Sequence, residues 1–186
     1  MHATSRRLLD ALGPDAASAT SVLELGCGSG ALLTSLLERG VPSATGVDLS
    51  PESLALARRR AAAAGVEARA HLQVGNGATV TMEPHDWVIL DRVLCCYRDL
   101  DLLLANSTAA ARRRYAFSVP ISAGWRGVLN RLIVGAEGAV ARFRRDKCPA
   151  FVHDVGTIEA RVTNAGFRRT RTTAEGAWYV AVFDRA

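Results

Sequence analysis

Three closely spaced glycines and one later acidic residue are the residues of this sequence best suited to chemistry. The glycines are Gly26, Gly28 and Gly30, and Asp48 stands 22 positions after the first of them. Glycines in a strand-to-helix turn let a ligand lie against bare backbone, within reach of free N–H groups. A carboxylate at the end of the next strand of an open α/β sheet suits the hydroxyl groups of a ribose. The spacing therefore predicts a site for an adenosine-containing cofactor.

Strands and helices alternate in the elements that must position this site. The predicted strands are Val22–Gly26, Ala44–Asp48, Ala70–Val74, Asp86–Asp91 and Tyr115–Val119. The predicted helices are Ser5–Leu12, Ala31–Arg39, a helix from Ser50 to Ala64, Asp99–Arg113 and one that keeps helical spacing from Val155 to Ala165. Alternation of this kind gives a mostly parallel sheet with helices on both faces.

The end of the chain predicts a hairpin. Ala174-Glu175-Gly176 separates two strand-like runs, Phe167–Thr173 and Ala177–Phe183. The second run is apolar on both alternating faces, which places it inside the sheet. The predicted fold is therefore α/β, a doubly wound, seven-stranded, mostly parallel sheet with an antiparallel C-terminal strand, in one domain covering residues 1–186.

Composition narrows the class of protein. The chain has 186 residues, of which 49% are hydrophobic and 22% charged, typical of a globular domain. It has neither an apolar run of about 20 residues nor a secretory leader, so we expect a cytoplasmic protein. The four cysteines lack metal-ligand spacing and form no disulfide framework, so we expect reduced thiols and no metal site. The net charge of +5 leaves nucleic acid, anionic lipid or an acidic small molecule open as partners.

The glycine pattern, the order of elements and the terminal hairpin together resemble the class I S-adenosylmethionine-dependent methyltransferase family. The stretch Val22–Gly30 resembles its first motif, in which Glu24 lies near the methionine end of the cofactor. Residues 46–50 resemble the second motif, in which Asp48 takes the ribose hydroxyls. The resemblance implies S-adenosylmethionine as cofactor, bound by Glu24, Gly26, Cys27, Gly28, Ser29, Gly30, Asp48, Leu49, Asn76, Gly77, Asp91 and Arg92.

Asn76 and Asp91 are the two positions where the match to the family is less direct. Asn76 stands where the family usually has an aspartate that contacts the adenine amino group, although an amide oxygen can accept the same hydrogen bond. The backbone after Asp91 corresponds to the stretch that closes over the methionine moiety.

Gly26–Ala31 also satisfies one version of the dinucleotide fingerprint of dehydrogenases. Glu24, the extra Gly30 and the apolar last strand favour the methyltransferase.

Methyl transfer from a sulfonium is one in-line displacement, so holding the two reactants in line and excluding water can supply most of the catalysis. A general base is needed only when the acceptor is protonated at working pH. His153, just before the last helix, is the candidate catalytic residue. The resemblance places Cys95, Cys96 and Tyr97 beside the acceptor. The signature of methylation at nucleic-acid amino groups is missing, which makes a nucleic acid acceptor unlikely.

Residues 121–150 form an insert with an apolar stripe at three- and four-residue steps, surrounded by basic residues. Three interpretations stay open. The insert is a lid over an apolar or anionic acceptor, a helix that makes transient contact with a membrane surface, or a helix packed on the edge of the sheet. No feature predicts the oligomeric state.

The sequence therefore predicts methyl transfer to a small, apolar or anionic molecule, most simply by O-methylation. Phe117–Pro120 together with Asp91-Arg92 resembles magnesium-protoporphyrin O-methyltransferases, whose propionate acceptor needs no base. Two alternatives remain. The protein is an RNA or protein methyltransferase, favoured by the basic charge, or a non-catalytic module that binds S-adenosylmethionine.

Overall fold

The computed structural model describes residues 1–13, 18–144 and 151–186, and for residues 135–144 it describes the backbone alone. The strands are β1 (Ser21–Leu25), β2 (Ser43–Asp48), β3 (Ala70–Val74), β4 (His85–Asp91), β5 (Ala111–Pro120), β6 (Phe167–Glu175) and β7 (Trp178–Arg185). The helices are α1 (Ala3–Leu12), α2 (Ala31–Glu38), α3 (Pro51–Ala63), α4 (Asp101–Ala109), α5 (Gly124–Arg144) and α6 (Val155–Asn164).

These strands form one seven-stranded sheet in the order β3-β2-β1-β4-β5-β7-β6. All neighbours are parallel except β7, which runs antiparallel to both β5 and β6. The predicted fold class is confirmed, including the position of the last strand inside the sheet. The strand order changes direction between β1 and β4, and ligands of open α/β sheets bind outside the carboxyl ends of the strands at such a point.

Local sequence explains the elements that border this point. β4 is buried on both faces, as its run Trp87–Leu90 predicts. α3 begins where predicted, because the Ser50 hydroxyl accepts a hydrogen bond from the Ser53 N–H at 3.0 Å and Pro51 occupies the first helical position. Two hydrophobic clusters cover the two faces of the sheet and fix its position against the helices.

The predicted helix Asp99–Arg113 is wrong at its end. α4 ends at Ala109, and the following residues belong to β5. Ala111 pairs with His85, and the guanidinium of Arg114 forms an ion pair with Asp184 of β7 at 2.6 Å. Pairing with two neighbouring strands therefore outweighs the helical propensity of the arginines.

α5 lies within the predicted insert, while residues 145–150 fall outside the described part of the chain. Among the described residues, none of the helices combines the length and the apolar character needed to cross a membrane.

Candidate functional site

The glycine turn between β1 and α2 depends on backbone that only glycine adopts easily. Gly26, Gly28 and Gly30 have φ values of 65°, 51° and 70°. A Cβ on Gly26 would lie 2.4 Å from the Val93 side chain, whereas one on Gly28 would meet no atom within 4 Å. The turn is therefore packed against the protein at Gly26 and open at Gly28, as a backbone site for a ligand requires.

Asp48 at the end of β2 holds this turn in place. One oxygen of its carboxylate accepts a hydrogen bond from the Gly28 N–H at 2.8 Å, and the other accepts from the Ser50 N–H at 2.9 Å. The N–H groups of Gly26 and Cys27 both donate to the carbonyl of Val47. Each carboxylate oxygen keeps further acceptor capacity. Asp48 is therefore oriented by the turn and can still accept ribose hydroxyls.

A cavity of about 230 Å³ lies against the turn, between α1 and the ends of β1 and β4. It is lined by His2, Ser5, Glu24, Gly26, Cys27, Gly28, Ser29, Ala31, Leu32, Asp91 and Arg92. Glu24 is buried, and its Oε2 has no hydrogen-bond partner. Burial raises the pKa of Glu24 well above its usual range, and Asp91 and Asp48 raise it further. A carboxyl oxygen buried in this wall without a partner fits a positively charged ligand group such as the ammonium or sulfonium of S-adenosylmethionine, which would stabilise the ionised form of Glu24.

Asp91 at the end of β4 connects three elements. Its carboxylate accepts hydrogen bonds from the hydroxyl of Ser118 in β5 and the hydroxyl of Ser5 in α1, both at 2.5 Å. The Arg92 N–H donates to the same Ser118 hydroxyl at 2.9 Å. Sequence reasoning missed Ser5, Ser118 and His2, because no motif shows that α1 returns to this edge. The spacing of Ser5, Leu8 and Leu9 at i, i+3 and i+4, which puts Ser5 on the apolar face of a helix, is the signal that the sequence offers.

Arg92 is the only non-glycine residue with a positive φ, 63°, in the part of the chain that the structure describes. Its guanidinium lies over the ring of Trp178, 5.4 Å from the centroid, at the start of β7. Its carbonyl accepts hydrogen bonds from the thiols of Cys95 and Cys96. Strained backbone of this kind costs about 1–3 kcal/mol and is concentrated at functional sites. Arg92, which lines the cavity, is therefore held in a strained conformation with its guanidinium against Trp178.

The cysteine thiols near the turn differ in the direction in which their surroundings shift the pKa. The pKa of the Cys27 thiol is raised by burial and by Glu24 and Asp48, so this thiol stays protonated. The pKa of the Cys96 thiol is lowered, chiefly by its hydrogen bond with Cys95 and also by the nearby Arg92 guanidinium. All three thiols are free. Cys148 lies outside the described residues.

In the loop after β3, the Asn76 oxygen that was expected to contact the adenine amino group is already hydrogen-bonded within the protein. Its Oδ1 accepts hydrogen bonds from the Tyr97 hydroxyl at 2.7 Å and from the Ala78 N–H at 3.0 Å. The Gly77 carbonyl accepts from the Asn106 amide at 2.9 Å. Both lone pairs of the Asn76 oxygen are used within the protein, so an adenine contact through this atom would displace the Tyr97 hydroxyl.

The remaining predicted residues lie on either side of the turn. Leu49 follows Asp48 and is 58% exposed, which gives an apolar surface beside the Asp48 carboxylate. The Ser29 carbonyl accepts a hydrogen bond from the Arg60 guanidinium at 3.0 Å, which ties the turn to α3.

His153 lies apart from the turn. Its Nε2 is 2.8 Å from the Tyr97 carbonyl oxygen, and its ring is tilted against that of Phe151. It lines a second cavity, of about 290 Å³, with residues of α4 and α6 that include Asp101 and Arg161. The structure therefore does not bring His153 to the wall of the cavity at the turn, and its catalytic role stays a prediction.

The insert contacts the protein through a face other than its apolar stripe. Trp125, Leu132 and Ile133 of α5 are exposed, whereas Gly127 and Asn130 are buried. Within residues 124–134, where the side chains are described, the stripe therefore does not pack on the edge of the sheet. The interpretation as a lid stays a prediction.

Known proteins share both the sequence pattern and the fold. A family model described as a methyltransferase domain matches residues 22–115. Ribosomal protein L11 methyltransferase of Synechococcus sp. is 29% identical over 187 residues, which covers 100% of this chain and 52% of that protein. The enzyme of the same name from Deinococcus radiodurans is 32% identical over 117 residues, or 60% of this chain and 41% of that protein. The chain spans about half the length of the curated relatives it matches.

A crystal structure of magnesium protoporphyrin IX methyltransferase from Synechocystis PCC 6803 with bound SAH, the demethylated cofactor, superposes with a TM-score of 0.78. The two chains are 17% identical, and the match covers 98% of this chain and 82% of that one. At this identity the likeness is one of fold. The matched family model covers half of the chain, including the glycine turn and Asp48. The chain therefore belongs to the methyltransferase domain family and has the class I, S-adenosylmethionine-dependent methyltransferase fold.

Proposed function

We propose that this chain transfers a methyl group from S-adenosylmethionine to an oxygen of a small, apolar or anionic molecule. The observation that carries the proposal is the convergence of three carboxyl groups on one glycine turn. Glu24, Asp48 and Asp91 come from the carboxyl ends of three adjacent strands, β1, β2 and β4. Three carboxyls beside open backbone suit a ligand that carries ribose hydroxyls and two positive charges.

The residues of this chain hold and orient the reactants. Asp48 and the open backbone of the turn at Gly28 fix the nucleoside end, while Glu24 and Asp91 favour the cationic methionine end. When bound in this way, S-adenosylmethionine would supply an electrophilic methyl group to the acceptor oxygen, and its sulfur would keep the electron pair of the broken bond. The cavity formed with α1 excludes water from this transfer.

The acceptor side favours an anion. The guanidinium of Arg92, held over Trp178, lies beside the cavity and can pair with a carboxylate. A carboxylate is already deprotonated at neutral pH, so its methylation needs no general base. His153 would be required only for a protonated acceptor such as a phenol. Three free thiols agree with a reducing compartment, and we place the protein in the cytoplasm.

Protein methylation is the second candidate. The similarity to ribosomal protein L11 methyltransferases over the whole chain supports it. A module that only binds the cofactor is the third candidate, because binding alone would need the same three carboxyls.

One experiment separates these functions. The purified chain is incubated with S-adenosylmethionine labelled in the methyl group and a cell extract divided into small-molecule, protein and RNA fractions. Label in the small-molecule fraction, released by mild base as expected of a methyl ester, supports the proposal. Label in protein or RNA, or in no fraction, overturns it in favour of an alternative. With the cofactor at limiting concentration, Asp48→Asn should label far less than the wild type, whereas Glu67→Gln, at an exposed position away from the turn, should label as the wild type does.

A further inference from the structure

Helix α5 exposes an apolar face that the fold does not cover. Five side chains make up this α5 apolar face, and between 46% and 72% of each is exposed: Trp125, Val128, Leu129, Leu132 and Ile133. Their spacing follows the i, i+3, i+4, i+7, i+8 pattern of one stripe along a helix. Contiguous exposed apolar patches of this kind mark interaction sites.

The outward orientation of this face is fixed by the opposite side of the helix. The buried Asn130 amide donates hydrogen bonds to the carbonyls of Ile121 and Ala177, at 2.9 and 3.0 Å. A Cβ on Gly127 would lie 2.1 Å from the Ser122 carbonyl oxygen, so only glycine permits this close approach. Rotating the helix to bury its apolar face would break these contacts and leave the Asn130 amide unpaired.

Positive charge flanks the α5 apolar face on both sides. At about 100° per residue, Arg126 falls just beyond Ile133 on one edge and Arg131 beyond Val128 on the other. Both arginines are exposed. The sequence of α5 contains four arginines and one glutamate, and the whole chain has a net charge of +5. Arginine stems can lie along apolar surface while their guanidinium groups reach anionic phosphates.

The exposed apolar side chains and the flanking arginines together indicate which partner covers the α5 apolar face. A two-fold contact between copies would bring the same arginine-edged faces together, and the like charges would oppose it. An anionic lipid surface offers both acyl chains for the stripe and phosphates for its edges. We infer that the α5 apolar face lies on an anionic membrane surface, with the helix in the plane of the interface.

This inference rests on the proposed function in one respect. β5 ends at Pro120, which pairs with Trp178, and α5 begins four residues later. Lipid contact through α5 would therefore bring the acceptor side, with Arg92 and Trp178, next to the membrane. An apolar, anionic acceptor dissolved in lipid would reach the site from there.

The test uses co-sedimentation of the full chain with vesicles of phosphatidylcholine alone or mixed with phosphatidylglycerol. The wild type should sediment with the anionic vesicles and detach as salt is raised. Leu132→Asp should weaken partition into the anionic vesicles by about tenfold or more, because it removes a leucine that the lipid buries when α5 lies on the membrane. The matched control is Leu102→Asp in α4, because Leu102 is 65% exposed and Leu132 66%. This control should bind like the wild type.

A second pair of variants tests the charges. Arg126→Glu combined with Arg131→Glu should abolish the preference for anionic vesicles. Arg59→Glu combined with Arg168→Glu makes the same change of net charge at exposed positions on α3 and β6, and should weaken binding only slightly. Equal losses in both double variants would overturn the inference, because they would indicate nonspecific attraction by net charge.

Other outcomes are equally decisive. Failure of the wild type to bind anionic vesicles overturns the inference, and so does equal binding by Leu132→Asp. A lipid-free dimer in sedimentation equilibrium that Leu132→Asp dissociates assigns the face to a second copy instead. Titration with S-adenosylmethionine in the same preparations reports on the cofactor site separately. Cofactor binding without vesicle binding overturns this inference alone, and the reverse result overturns the proposed function alone.

Discussion

The carboxylate of Asp48 accepts a hydrogen bond of 2.8 Å from the backbone N–H of Gly28, which links the end of β2 to the open point of the glycine turn. These two residues are 20 positions apart in sequence. Their contact joins the turn and the Asp48 carboxylate, which we propose to bind the ribose, into one unit. The predictions below depend on this unit and on the groups around it.

Gly28→Ala should weaken cofactor binding beyond its effect on folding. Alanine at this positive φ costs about 1 kcal/mol of stability. Its methyl group would also project into the open space where the ligand meets the backbone. Gly176 in the β6–β7 turn is a matched control, since its φ is 60° and an added Cβ there also meets no atom within 4 Å. Gly176→Ala should lower the melting temperature similarly and leave the affinity for S-adenosylmethionine unchanged, as titration calorimetry can check. Equal affinities for both variants would contradict a ligand at Gly28.

Glu24→Gln should stabilise the ligand-free protein at neutral pH. The pKa of Glu24 is raised in the folded state by burial and by Asp91 and Asp48, so the folded state binds its proton more tightly than the unfolded state does. The stability of the wild type therefore falls as pH rises above the unfolded pKa of about 4.3. The melting-temperature difference between variant and wild type should increase from pH 5 to pH 8. A difference independent of pH would show that Glu24 ionises freely.

Ser5→Ala should destabilise the protein by about 1–3 kcal/mol, because it leaves an oxygen of the Asp91 carboxylate without its donor from α1. The neighbouring Thr4 provides the control. Its hydroxyl is buried and has no hydrogen-bond partner, so Thr4→Val should cost nothing or stabilise slightly. Chemical denaturation of the two variants measures both effects. A smaller loss for Ser5→Ala than for Thr4→Val would exclude a structural role for the Ser5–Asp91 bond.

Arg92→Gly and Arg92→Ala should differ in stability but not in function. Both remove the guanidinium over Trp178, so both should lose labelling of the anionic acceptor in the extract assay. Only glycine relieves the positive φ of 63°, so Arg92→Gly should be more stable than Arg92→Ala by about 1 kcal/mol. Retained labelling in either variant would remove Arg92 from acceptor recognition.

The sequence predicts the sheet and the glycine turn well, because both depend on local signals. The alternation of elements gives the fold class, and the three glycines with Asp48 locate the turn. Long-range contacts give no such signal. The return of α1 to place Ser5 against Asp91 spans 86 positions. One of the two hydrogen bonds that occupy the Asn76 oxygen comes from Tyr97, 21 positions away.

The end of α4 was predicted wrongly, and the surroundings of the α5 stripe were left open, for a related reason. Helical periodicity locates an apolar stripe but does not say whether another element covers it. In α5 the buried contacts come from Gly127 and Asn130, which a hydrophobic pattern ignores. In the segment after Ala109, pairing with β4 and β7 decides the structure, and neither strand is near it in sequence.

The most direct test of the central claim is titration calorimetry of S-adenosylmethionine against the wild type, Asp48→Asn and the control Glu67→Gln. Asp48→Asn removes the charge of the carboxylate between the turn and the ribose position while keeping its shape. It should lower affinity by roughly 10- to 100-fold, which corresponds to about 1.4–2.8 kcal/mol. Glu67→Gln should bind like the wild type. An unchanged affinity for Asp48→Asn would contradict the claim that this turn and its carboxylate hold the cofactor.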